Sequence, residues 1–269
     1  MEKFQLIPLF EIIGIGAASG LVYTNDMLYI VSDSSSYLYQ YDLNNQDLTK
    51  IALVENSQDH MIKKEKFDFE AITLQGNSLS IFGSGSTENR NKKFTYDLTT
   101  SKIAHEDLKP IYSAIQDTLD IASDELNIEG ALYKDGVLHL FQRGNGSNAK
   151  NGIVIMEQEI TFIPITLPKI KHVEATFTDA ILVEDKIYFL AAAEDTTSTY
   201  DDGEVLGSMI GCLDSATFTV EFTHVISDYQ KFEGLTLYKK TATQMELLLC
   251  EDNDTDILET TIFKLTLSK

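Results

Sequence analysis

Short apolar runs alternate with polar turns along the whole chain, and the alternation is organised as a repeat. Five segments share one pattern, an apolar or small residue, then Ser or Glu, then Gly or Ala, then an apolar or small residue. They are Ala18-Ser19-Gly20-Leu21, Phe69-Glu70-Ala71-Ile72, Ile128-Glu129-Gly130-Ala131, Val173-Glu174-Ala175-Thr176 and Phe232-Glu233-Gly234-Leu235. They recur roughly every fifty residues, a period that belongs to propellers and other repeat folds. A tight-turn dipeptide and a second apolar run follow each of the first four, as in Asn25-Asp26 before Met27 to Val31 and Asp135-Gly136 before Val137 to Phe141. Such dipeptides suit two-residue hairpins. A third run follows a polar loop every time, for example Tyr37 to Tyr41 and Gly152 to Ile155.

Each unit therefore reads as an antiparallel meander. Fourth strands are legible in units one to four, as in Leu48 to Leu53 and Ile160 to Ile165, but the chain ends before unit five has one. Phe4 to Ile12 is the available substitute, pairing with Thr261 to Leu267. That closure removes an exposed sheet edge, which would be unstable and prone to pairing with other chains. The fold predicted is all-β: one five-bladed β-propeller of four-stranded antiparallel blades over residues 1–269, with the N-terminal strand closing the last blade. Tryptophan is absent, which excludes a WD-type repeat. One helix is predicted over Pro110 to Ile121, outside the ring, from a proline near its start and apolar Ile111, Ala114, Ile115 and Leu119.

The small residue after each Ser or Glu has a packing cause, because innermost strands converge on a narrow axis. The residue before it stands at the start of that strand, which gathers Ser19, Glu70, Glu129, Glu174 and Glu233 into a ring. Neighbouring carboxylates raise one another's pKa, so a counter-charge is required. Calcium takes six to eight oxygen ligands in tolerant geometry and fits this set better than zinc, with magnesium second. Four glutamates exceed one divalent ion in charge, so protonation, water or an arginine must make up the difference. The competing reading is that the glutamates cap strands, bind neighbouring amides or share protons.

Loops between second and third strands lie on the same face as the ring. They bring Asp33 and Ser34 to Ser36 from unit one, Arg90, Lys92 and Lys93 from unit two, and Arg143, Asn145 and Lys150 from unit three. Unit four adds Glu194, Asp195, Asp201 and Asp202, and unit five Glu251, Asp252, Asp254 and Asp256. Cations beside acids around a metal could hold an anion such as phosphate and supply a general base; a merely solvated rim is the alternative. The Asp252 to Asp256 run is not an EF-hand, since Ile257 and Phe263 occupy the positions that need Gly and Glu. P-loop, Gly-x-Ser-x-Gly and His-Glu-x-x-His motifs are absent.

Charge narrows the partners. Lys and Arg number 21 against 42 Asp and Glu, a formal charge of -21. That balance repels nucleic acid and anionic membranes, so neither is an expected partner of a chain expected to be a monomer, and a small-molecule anion is a possible ligand only through the cations of units two and three. Cys212 and Cys250 both sit in apolar runs and read as buried hydrophobes. The N-terminus lacks a signal-peptide pattern and no apolar run approaches a membrane span, so a cytoplasmic location is expected.

The motifs resemble those of the five-bladed calcium-activated nucleotidases, the soluble apyrases. Ser19-Gly20-Leu21 with Leu28-Tyr29 and Ser32-Asp33 looks like that family's first blade. Phe69-Glu70-Ala71, Glu129-Gly130 with Phe141-Gln142-Arg143, and Lys231-Phe232-Glu233-Gly234-Leu235 look like later blades. The resemblance implies a tunnel calcium held blade by blade, Asp33 near the acidic catalytic position, and hydrolysis of a phosphorylated small molecule steadied by Arg90 and Arg143. Two departures stand out: Glu174 replaces a serine, and Ser34-Ser35-Ser36 replaces an acid-rich loop. The Glu-Gly-Leu repeats also resemble esterase-like phytase-type bacterial propellers, which usually have six blades. A non-catalytic propeller with a structural tunnel metal and a ligand- or protein-binding face remains the alternative function.

Overall fold

A computed structural model describes residues 3–199, 203–253 and 257–268. Five four-stranded antiparallel sheets succeed one another along the chain. Blade one runs from Ala18–Thr24 at the axis to Asp47–Ala52 at the rim, and blade two from Phe69–Gln75 to Ile103–Asp107. Blade three runs from Ile128–Lys134 to Ile160–Pro164, and blade four from Thr176–Val183 to Val220–Ser227. Blade five is built of Lys231–Lys240, Gln244–Asp252 and Glu259–Ser268, and takes Lys3–Ile13 as its outer strand. Each innermost strand packs against the next, and the fifth returns to the first, closing the ring.

Closure by the N-terminal strand follows the expected register, with Phe4 opposite Leu267 and Ile12 opposite Thr260. Pro8 lacks an N–H to donate, and the register shifts between Pro8 and Phe10. An outer edge tolerates both.

Burial falls from axis to rim. The first five residues of Ala18–Thr24 are buried, whereas every residue of Ile103–Asp107 is exposed. Inner strands are covered on both faces by neighbouring blades and so read as continuous apolar runs. Aromatic rings lock some of these interfaces: Phe177 of blade four meets Phe141 of blade three edge-on, with ring centroids 5.2 Å apart. Each such ring stabilises the fold by roughly 1.5–3 kcal/mol through burial.

The helix occupies Lys109–Leu119, close to the predicted span, and ends where Asp120 adopts a left-handed φ of 53°. Tyr112, Ile115 and Leu119 bury against Phe82, Ile128, Leu140 and Val154, sealing blades two and three together. The Tyr112 hydroxyl donates to the Gly83 carbonyl at 2.7 Å. Gly85 makes room for that contact, since a Cβ there would stand 2.7 Å from the Tyr112 ring. Both cysteines are buried free thiols, as expected. No described helix is long and apolar enough to cross a membrane.

Candidate metal centre

The ring positions are set by one recurring backbone irregularity. In every innermost strand the register slips by a residue, between Ala18 and Gly20, Phe69 and Ala71, Ile128 and Gly130, Phe177 and Asp179, and Phe232 and Gly234. The residues skipped are Ser19, Glu70, Glu129, Thr178 and Glu233. A β-bulge leaves its extra residue unpaired in the ladder and re-aims its side chain.

Glu174 is therefore not a ring residue, contrary to the sequence expectation. It is exposed and pairs with Lys169 on a two-stranded ribbon, Lys169–Ile170 against Val173–Glu174, that precedes blade four. The motif match at Val173 to Thr176 falls four residues short of the bulge. The true position was hidden because Asp179 follows Thr178 where the other blades have Gly or Ala. The Asp179 carboxylate accepts the N–H of Ala180 and the N–H of Leu235 in blade five, each at 2.7 Å. It thus ties two blades together while burial pushes its pKa well up, against those two N–H groups.

The two hydroxyl positions do a related job. Thr178 donates to the Phe232 carbonyl at 2.7 Å, and Ser19 donates to the Phe69 carbonyl. In both cases the acceptor precedes a ring glutamate of the next blade, so the hydroxyl helps fix that glutamate's backbone. Ser19 is fully buried.

Glu70, Glu129 and Glu233 converge from blades two, three and five, each offering an oxygen within 4.8 Å of the others. Asp33, Asp68 and Glu70 form an adjoining group of the same compactness. Burial, then Glu129, pushes the Glu70 pKa well up. Burial also raises Glu129 and Glu233, opposed by Lys231 and Arg143. Asp33 is raised to about 6 by burial and Asp252, against the pull of Lys66.

The counter-charges anticipated from the sequence are present as internal cations. Arg143 reaches Glu194 at 2.6 Å, Glu129 at 3.2 Å and Glu233 at 3.8 Å, and is only 3% exposed. Although burial disfavours its charge, Glu129, Glu194 and Glu233 hold it ionised. Lys231 bridges Glu233 at 3.0 Å and Asp252 at 3.2 Å. Arg90 meets Asp68 at 2.7 Å and donates to Ser86 at 2.7 Å. Both arginines thus line the mouth as partners of carboxylates. Asp33 stands there too, paired with Lys66 at 2.5 Å.

Sequence reasoning passed over Asp68, Asn127, Thr176 and Lys231, yet a signal existed. Each lies two residues before a ring position, Thr176 and Lys231 as the first residues of their strands and Asp68 and Asn127 just before theirs. Asn127 donates to Glu129 at 2.7 Å, and Thr176 accepts from Arg143 at 3.4 Å. Of the acidic loop residues singled out earlier, Glu194 and Asp252 line the mouth, whereas Asp201, Asp202, Asp254 and Asp256 lie outside the described residues.

The mouth is a cavity of about 130 Å³ whose wall holds, among the described residues, seven acids (Asp33, Asp68, Glu70, Glu129, Glu194, Glu233, Asp252) and five cations (Lys63, Lys66, Arg90, Arg143, Lys231). The formal excess among these described residues is two negative charges. Toward the other end of the same inner strands the lining turns apolar, with Leu21, Ile72, Leu132, Leu182 and Leu237 around a second cavity of about 290 Å³. Charge is thus concentrated at one end of the axis. All this is donor chemistry for a hard cation: carboxylate oxygens, one of them, Glu129 Oε2, buried without a partner.

Similar architecture is found in the crystal structure of Myxococcus xanthus glutaminyl cyclase, with a TM-score of 0.54 and 11% identity over 98% of this chain and 97% of that one. Luciferin-regenerating enzyme aligns with a TM-score of 0.49 and 8% identity over 98% of this chain and 95% of that one. At 11% identity the likeness to the glutaminyl cyclase is one of fold. No curated protein matches the chain. Residues 14–267 match the model of the family of unknown function DUF6929, and the chain belongs to that family.

Proposed function

We propose that the tunnel mouth binds a divalent cation, calcium in first place and magnesium in second, and with it the phosphoryl group of a small molecule that the site hydrolyses. The observation that carries this reading is the convergence of Glu70, Glu129 and Glu233, with Glu129 Oε2 buried and unpartnered. An orphaned buried carboxylate oxygen costs about 1–3 kcal/mol or more, and a bound cation removes that cost. One divalent ion would also balance the excess of two negative charges among the described residues of the wall.

Size limits the ligand. A cavity of about 130 Å³ admits an ion with a few waters or one phosphoryl group. Ligand pockets that enclose a whole drug-sized molecule are about 300–1,000 Å³. The rest of a substrate would project past Lys63 and Lys66 at the rim, and Asp33, facing the cavity, would position the attacking water.

The engagement of Arg90 and Arg143 with Asp68, Glu129 and Glu194 favours a second reading, in which the ion clamps the blades and no substrate is turned over. Calorimetric titration with calcium and magnesium tests the ion: heat of binding that Glu129→Gln diminishes is expected, and its absence from the wild type overturns the proposal. A panel of nucleotides, phytate and simple phosphate esters, assayed with each ion, then divides the two readings. Uniform inactivity with intact ion binding leaves the clamp.

A further inference from the structure

Four carboxylates around the mouth share one arrangement. Asp33 gives Oδ2 to Lys66, Asp68 gives Oδ2 to Arg90 and Ser84, Glu129 gives Oε1 to Arg143 and Asn127, and Glu233 gives Oε1 to Lys231. The second oxygen of each accepts no hydrogen bond among the described residues, and Asp33 Oδ1 and Glu129 Oε2 are bare while wholly buried. Carboxylates that ligate a metal are oriented in this manner, one oxygen held by an outer partner and the other presented to the ion.

Glu70 differs from all four. Its carboxylate accepts nothing among the described residues on either oxygen, although the residue is only 8% exposed. It is also the one residue common to both compact carboxylate groups, Glu70-Glu129-Glu233 and Asp33-Asp68-Glu70. A side chain with two bare oxygens, standing between two sets of bare oxygens, has the donor count of a bridging ligand.

We infer that Asp33, Asp68 and Glu70 form a second divalent-cation site beside the first, with the Glu70 carboxylate bridging the two ions. This rests on the reading of the mouth as a cation centre and extends it. Among the described residues of the wall, one ion cancels the excess of two negative charges and a second leaves an excess of two positive charges. The ligand class that follows is a dianion, a phosphate monoester or inorganic phosphate, spanning both ions. Paired ions in hydrolytic sites stabilise the attacking and leaving oxygens of a displacement. In that arrangement Asp33 would act on water through the second ion.

Manganese serves as the probe, because bound ions are counted by the loss of the free-ion electron paramagnetic resonance signal and neighbouring ions broaden each other's spectrum. The wild-type chain is expected to bind two manganese ions with a spin-coupled spectrum. Asp33→Asn and Glu129→Gln should each leave one uncoupled ion, and Glu70→Gln should disturb both sites, with melting curves confirming that each variant is folded. A single uncoupled ion in the wild type, lost in Glu129→Gln and kept in Asp33→Asn, overturns the second site while leaving the first. Two ions that persist in Asp33→Asn also overturn it. No bound ion in the wild type overturns both readings.

Discussion

Replacing Glu70 by Gln should change the stability of the protein in opposite directions with and without a divalent cation. Glu70 is buried, accepts no hydrogen bond among the described residues, and has oxygens of Glu129 and Glu233 within 4.8 Å. Two ionised carboxylates at that distance repel by about 3.5 kcal/mol at an effective dielectric of about 20. Partial protonation and the Arg143 and Lys231 charges relieve part of it, leaving an expected gain of about 1–3 kcal/mol for the variant in chelator, where the new amide can donate to a neighbouring carboxylate. A cation at about a thousandfold over its dissociation constant stabilises the wild type by about 4 kcal/mol. Without that gain, Glu70→Gln becomes the less stable of the two. Denaturant unfolding of both proteins in chelator and in calcium, at constant pH, measures the two differences. A variant less stable than the wild type in chelator would show that Glu70 makes favourable protein contacts, and would refute the reasoning.

Other consequences are equally specific. Arg143→Met should cost about 3–5 kcal/mol in unfolding free energy, because Glu129, Glu194 and Glu233 lose a shared buried partner; a loss under about 1 kcal/mol contradicts this. Gly234→Ala would put a Cβ 2.5 Å from Cys250 Sγ and 3.0 Å from Gly20 Cα, so a loss of about 1–3 kcal/mol is expected. Adding Cys250→Ala should recover part of it, and a strictly additive double variant would count against the clash. In chelator, burial and Asp252 raise the Asp33 carboxyl from 3.8 to about 6, so the native state holds this proton up to about that pH whereas the unfolded chain releases it near 3.8. Stability from this group is complete below about pH 4 and is lost as pH rises through 6, a change of about 3 kcal/mol. Asp33→Asn should remove that slope, and identical pH profiles for the two proteins would exclude it.

Much of the fold was legible because propeller strands carry their own punctuation. Turn dipeptides such as Asp135-Gly136 fix hairpins locally, and Phe4 to Ile12 had no other partner than the last blade. The ring was legible in four of five blades through the small residue after each bulge. Blade four broke the rule: Asp179 takes the small residue's place by giving both oxygens to backbone N–H groups. A composition pattern could not foresee that a buried carboxylate would be satisfied by the neighbouring blade. Glu174 fitted the pattern but not the ladder, since register depends on pairing with Lys186–Asp195 across the hairpin. Which carboxylates the internal cations would meet was hidden for a different reason. Arg143 and Lys231 belong to separate blades, and only ring closure sets them among Glu129, Glu194, Glu233 and Asp252.

The central claim, a cation held where the blades converge, is tested most directly by anomalous diffraction from crystals soaked in manganese or calcium. The account predicts an anomalous peak bounded by Glu70, Glu129 and Glu233, with Glu129 Oε2 among its ligands. A mouth without such a peak, in which Arg143 and Lys231 alone balance the glutamates, would contradict it.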